Sequence, residues 1–146
     1  MYKKISLASE TIPKNHIDCL SEWLRTYPRL TQGPRVKEFE DNFSKYLNIK
    51  ESTFVNSGSS ANLIMANSNL FFKELRNKKV GIPALSWATT VSPFIQLGYQ
   101  PFLLDTDPNN LGINIDHLYK LVKEEDIATL ILVHVLGHNS SINKIL

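Results

Sequence analysis

The sequence predicts an α/β protein whose mostly parallel sheet is covered by helices on both faces. Two observations carry this. Short apolar or β-branched runs alternate with helix-length segments from Thr53 to the end of the chain. The run Thr129-Leu130-Ile131-Leu132-Val133 is apolar throughout, which is the pattern of a strand buried on both faces and placed centrally in a sheet.

The elements follow in order. From Asn15 to Arg25, Ile17, Leu20, Trp23 and Leu24 recur at helical spacing, and Tyr27-Pro28 closes the segment because a residue before proline is pushed out of the helical region. Leu30 to Gly33 is a turn. Pro34 suits a first helical position, and Val36, Phe39, Phe43, Tyr46 and Leu47 then mark one face of a second helix. Thr53 to Asn56 reads as a short strand, Ser57-Gly58 as a tight turn, and Ser59 to Leu75 as helix. Strands follow near Val80 to Ile82, from Pro101 to Leu104 and from Ala128 to Val135. Helices lie near Thr89 to Leu97 and Ile115 to Lys123, and a last one begins around Ser141. No internal repeat, low-complexity tract or flexible linker interrupts the pattern.

The chain has 146 residues, 42% hydrophobic and 21% charged, so its composition is that of an ordinary folded domain. Its 16 Lys and Arg against 14 Asp and Glu are scattered, with no basic stripe to track a nucleic-acid backbone. Cys19 has no partner for an internal disulfide and lies in an apolar helical pattern, which reads as a buried, inert thiol in a reducing compartment. No apolar stretch of signal-peptide length follows Met1 to Glu10, and nowhere do about 18 apolar residues run together. The chain is therefore read as cytoplasmic, with neither membrane nor nucleic acid as partner.

In open α/β sheets ligands bind beyond the carboxyl ends of the strands, so the residues just after each strand are the informative ones. Asn56-Ser57-Gly58-Ser59-Ser60-Ala61-Asn62 is a small-residue turn entering a helix. Free N–H groups at a helix start, with serine hydroxyls beside them, make an anion site, and glycine permits close approach. The same residues also make a good N-cap and turn. The segment is neither a Walker loop nor a dinucleotide fingerprint, so a phosphate bound there would belong to another cofactor. In Pro83-Ala84-Leu85-Ser86-Trp87-Ala88-Thr89-Thr90 an indole follows a strand end, placed either to stack on a planar ring or to pack in a core or interface. His134 to His138 follow the most apolar strand, and no metal-ligand spacing accompanies them.

Leu30 to Pro34 followed by Phe39-Glu40 and Tyr46-Leu47, Val55 to Ala61, Pro83 to Thr90, Leu104 to Pro108 and Val133 to His138 form an ordered series. Together they resemble the N-terminal half of the large domain of the DegT/DnrJ/EryC1/StrS family of PLP-dependent sugar aminotransferases, over nearly the whole chain. The resemblance implies a fold-type I PLP enzyme, normally a homodimer, of which residues 1–146 are the N-terminal portion of the large domain. It implies that Gly58, Ser59 and Ser60 receive the phosphate of pyridoxal 5′-phosphate or of its amine form, PMP, and that Trp87 covers the pyridine ring. The family's acidic partner of the pyridinium nitrogen and its Schiff-base lysine would both lie beyond Leu146. No catalytic residue and no metal ligand is therefore assigned in this chain, which alone is expected to be inactive.

The activity implied is amino transfer from an amino acid, commonly glutamate in the family, to a nucleotide-linked keto sugar in deoxyamino-sugar or cell-surface polysaccharide biosynthesis. The alternative is the related sugar 3-dehydrase, which uses PMP and replaces the lysine by histidine. Thr89 to Gln96 and His134 to Gly137 lean toward that branch. A non-enzymatic alternative is a short chain acting as a binding partner of a longer homologue.

Overall fold

The computed structural model describes residues 9–146, which form two compact units, one ending at Phe54 and one running from Val55 to Leu146. The first unit holds α1 (Lys14–Leu24) and α2 (Pro34–Leu47). Pro34 occupies the first turn of α2, and Asn48 ends the helix in the left-handed region (φ 53°). Phe39 stacks on Phe43 at 5.6 Å and meets the edge of Phe54 at 5.3 Å.

Two expectations fail in this unit. Residues 53–56 form no strand, because the Phe54 N–H is spent on the Glu40 carboxylate at 2.9 Å instead of on a neighbouring chain. Cys19 is exposed, not buried. No residue of α1 is buried, so the apolar stripe that was to cover the thiol has no cover within its own unit.

The second unit runs α3 (Gly58–Asn69), β1 (Lys79–Pro83), α4 (Ala88–Gln96), β2 (Gln100–Leu104), α5 (Ile115–Glu125) and β3 (Thr129–Leu130). Its sheet is parallel, in the order β2-β1-β3. Side chains alternate across β1. Val80 and Ile82 are fully buried in one cluster with Ala66 of α3, Phe94 of α4 and Tyr99, while Leu104, Ile113 and Leu118 of α5 make a second cluster. Between them Gly81 leaves room for Leu104 and Leu130, whose methyls would lie 3.2 and 3.3 Å from any Cβ there. The fold class is the one the alternation predicts.

The structure shortens the expected strand over 128–135. Among the described residues β1 stands between β2 and β3, and only Thr129–Leu130 pair with it. The last bond on that side runs from Ile131 N–H to Gly81 O at 2.9 Å. The next donor of β1 facing β3 would be residue 83, and Pro83 has no N–H to give.

Helix α3 also stops earlier than its composition suggests, at Asn69 rather than Leu75. There the Asn69 amide donates to the Tyr99 hydroxyl (3.1 Å) and to Thr129 Oγ1 (2.9 Å), pinning the helix end at the start of the strands. The helix expected from Ser141 is a single 3₁₀ turn, Ile142–Lys144.

Candidate functional site

The strand and helix ends fix which edge of the sheet carries chemistry. Asn69 ties the last residue of α3 to the beginning of β3, Lys78 Nζ reaches the carbonyl of Leu97 at the end of α4, and Lys79 Nζ reaches that of Glu125 at the end of α5. All three helices therefore finish at the amino edge of the sheet and begin at its carboxyl edge. Gly58 to Ser60, Trp87 and His134 all stand on that carboxyl edge.

At the start of α3, Ser57 is extended (φ −162°, ψ 161°), and its hydroxyl accepts from the Ser60 N–H at 3.2 Å. The Ser57 carbonyl takes the N–H of Ala61. This leaves the N–H groups of Gly58 and Ser59 with no partner among the described residues, as the first turn of any helix does. Ser60 Oγ donates to Asn56 Oδ1 at 2.6 Å, and Ser59 is exposed. Ser59 and Ser60 line a hollow of about 240 Å³ shared with Thr89, Ser92 and Gln96 of α4. The Asn62 amide, donating to Thr89 O at 3.1 Å, holds the two helix starts side by side.

Trp87 is the residue before α4, and its indole is 83% exposed, so it is not a core residue of this unit. With Leu85 and Ser86 it faces the segment 133–136 across a cavity of about 490 Å³. Trp87 and the serines thus share one edge of the sheet but line separate hollows there.

The segment after β3 is held from behind. Ser140 is buried (1% exposed), its Oγ donates to Val133 O at 2.8 Å, and its N–H donates to His134 Nδ1 at 3.2 Å. Nothing in the local sequence marks Ser140 among its neighbours Asn139 and Ser141. The Asp105 block closes the edge near α5, where the Asp105 N–H donates to His117 Nδ1 at 3.1 Å. Asp107 is spent on the turn, accepting from the N–H and side chain of Asn109. Among the described residues no group of three or more His, Cys, Asp or Glu is arranged to hold a metal ion, and no helix is long and apolar enough to cross a membrane.

A model of the DegT/DnrJ/EryC1/StrS aminotransferase family matches residues 11–146. The chain belongs to that family. Members of the DegT/DnrJ/EryC1/StrS family similar to it include the GDP-4-keto-6-deoxy-D-mannose 3-dehydratase of Yersinia pseudotuberculosis, 33% identical over 95% of this chain and 36% of that protein. The enzyme of the same name from Escherichia coli is 38% identical over 79% of this chain and 30% of that protein. A structure of the E. coli dehydratase with bound hydrated PLP superposes with a TM-score of 0.83 at 32% identity, over 95% of this chain and 36% of that one. The PseC aminotransferase of Helicobacter pylori shares the fold (TM-score 0.81) at 23% identity. The chain spans about a third of the length of the curated relatives it matches.

Proposed function

We propose that this chain forms the cofactor-holding N-terminal portion of a PMP-dependent 3-dehydratase acting on a nucleotide-linked 4-keto-6-deoxyhexose. One observation carries the reading. The Yersinia and E. coli relatives, at 33% and 38% identity, and the E. coli structure at 32%, are all GDP-4-keto-6-deoxymannose 3-dehydratases by name. Amino transfer to such a sugar, the activity the family's own name suggests, is the second reading. It draws on the family match and on relatives such as GDP-perosamine synthase, at a lower 24% identity.

The residues present suit the cofactor. The open N–H groups of Gly58 and Ser59 and the hydroxyl of Ser59 offer donors to a phosphate, the Ser60 hydroxyl would join them on exchanging Asn56 Oδ1 for a phosphate oxygen, and the exposed Trp87 indole offers a face to a pyridine ring. When bound, the cofactor supplies the electron sink that lets a bond at the sugar ring break. The chain's own part is to grip the phosphate and set the ring plane against Trp87. The same reading takes the full enzyme to be a cytoplasmic homodimer, in which an amino acid such as glutamate would restore the amine form of the cofactor after each turnover.

The deciding experiment incubates the full-length protein that contains these residues with PMP and GDP-4-keto-6-deoxymannose and follows the sugar by NMR. Loss of the C3 hydroxyl is the expected result. An amino group gained at C4, with C3 intact, would establish amino transfer instead.

A further inference from the structure

We propose that His134 is a ligand-binding residue whose imidazole, held as the Nε2–H tautomer, donates a hydrogen bond to an oxygen of the molecule resting on Trp87. The inference builds on the reading of Trp87 above and adds the polar contact that would orient the bound molecule.

The hydrogen bonds assign the tautomer. Ser140 N–H points at His134 Nδ1 from 3.2 Å, so Nδ1 must present its lone pair, and in the neutral ring the proton sits on Nε2. Ser140 cannot turn away, because it is buried and its own hydroxyl is tied to Val133 O. Gly112 backs it so closely that a Cβ there would lie 2.8 Å from Ser140 Cα. A neutral histidine has two ring nitrogens to engage, one acceptor and one donor. His134 spends one, and no described residue accepts from Nε2.

The cavity supplies the reason for the other. Its walls are apolar at Leu85, Trp87, Val133, Val135 and Leu136. Beside the indole N–H of Trp87 the polar side chains are Ser86 and His134, and Ser86 has already donated its hydroxyl proton to Pro83 O at 2.8 Å. With the face of Trp87 given to the bound ring, Nε2–H and the indole N–H of Trp87 are the uncommitted side-chain donors of a mostly apolar cavity, and only the imidazole is held in a fixed direction from behind; a few such placed polar groups set ligand orientation. The acceptor is an oxygen, carried either by the cofactor or by the keto sugar.

Two substitutions separate the ring's two jobs. His134→Asn can place its carbonyl where Nδ1 meets Ser140 but cannot reach across the cavity. His134→Gln can place an amide N–H near the Nε2 position and gives up the tie to Ser140. The fluorescence difference between the parent and a Trp87→Phe variant isolates the Trp87 signal whatever other tryptophans the full-length protein holds, so it reports binding. PMP and GDP-4-keto-6-deoxymannose are titrated separately into the full-length protein, with thermal midpoints recorded for each variant.

The expected result is that His134→Asn keeps the parental midpoint and weakens one of the two ligands about 3- to 10-fold, while His134→Gln restores most of the loss. Weakened PMP places the oxygen on the cofactor, and weakened sugar with unchanged PMP places it on the substrate. Unchanged affinity for both, with Trp87 still quenched, overturns the proposal, as does a long-range ¹H–¹⁵N spectrum showing the His134 proton on Nδ1. If PMP binds the parent without altering Trp87 fluorescence, the reading of Trp87 fails and this inference fails with it.

Discussion

Gly112 and Ser140 meet backbone to backbone, with only 2.8 Å between Ser140 Cα and the point where a side chain on Gly112 would begin. Replacing Gly112 by alanine forces a main-chain atom to move, and overpacking of this kind costs about 1–3 kcal/mol. The expected outcome is a clear drop in the unfolding midpoint of Gly112→Ala. An unchanged midpoint would show that the 139–141 segment is free to retreat.

Gly58→Ala should behave oppositely. Nothing lies within 4 Å of a Cβ at Gly58, so stability is expected to hold or rise slightly with the gain in helix propensity. Cofactor affinity is the quantity to watch, since a methyl there intrudes on whatever approaches the helix start. A fall in PMP affinity at constant midpoint supports phosphate contact at this turn, and constant affinity removes Gly58 from the site.

Ser57→Ala removes the hydroxyl that accepts from Ser60 N–H, an N-cap worth about 1 kcal/mol. The double change Ser59→Ala, Ser60→Ala leaves that cap in place and is expected to weaken PMP binding by roughly 10-fold or more at little cost in stability. Equilibrium denaturation and cofactor titration on both variants separate the two roles.

Trp87→Ala should cost little stability, because the indole is 83% exposed. Lost stacking of about 0.5–1.5 kcal/mol predicts cofactor affinity reduced by about 2- to 10-fold, with Trp87→Phe milder. An equal loss for Phe and Ala would argue that the indole N–H, not the ring face, makes the contact.

Residues 1–146 expressed alone should give no borohydride-fixed cofactor on a specific lysine and no change in a nucleotide sugar, even with PLP in excess. Stoichiometric fixation at one lysine, found by peptide mapping, would place the reactive amine within these residues and reverse the assignment of roles.

Much of this architecture was legible because its signals are local. The periodicity of Ile115 to Lys123, the proline at the start of α2 and the serine turn before α3 each declare themselves within a few residues. What could not be read depends on distant partners. Residues 129–133 look like a central strand, yet their pairing ends because the facing strand reaches Pro83. Residues 53–56 have strand composition, yet a carboxylate 14 positions earlier claims the Phe54 N–H. At the candidate site the serines and the tryptophan stood out by type and position. The orientation of His134 did not, because it is set by Ser140, which in turn depends on the absent side chain of Gly112.

The common direction of α3, α4 and α5 gives the sheet an electrical polarity. Each helix carries about half a positive charge at its first turn and half a negative charge at its last, and aligned helices add. The negative ends of α4 and α5 are met by the ammonium groups of Lys78 and Lys79, and at the opposite edge α5 has Asp116 in its first turn whereas the first turns of α3 and α4 hold no acidic residue, so the positive field is strongest at the starts of those two helices. At physiological salt such a field fades within about 8 Å, too short to steer a molecule from a distance but long enough to hold a phosphate already at the edge. Pyridoxal without its phosphate would meet the same indole and the same imidazole yet gain nothing from this field, so rising salt should loosen the phosphorylated cofactor and leave the unphosphorylated one unmoved.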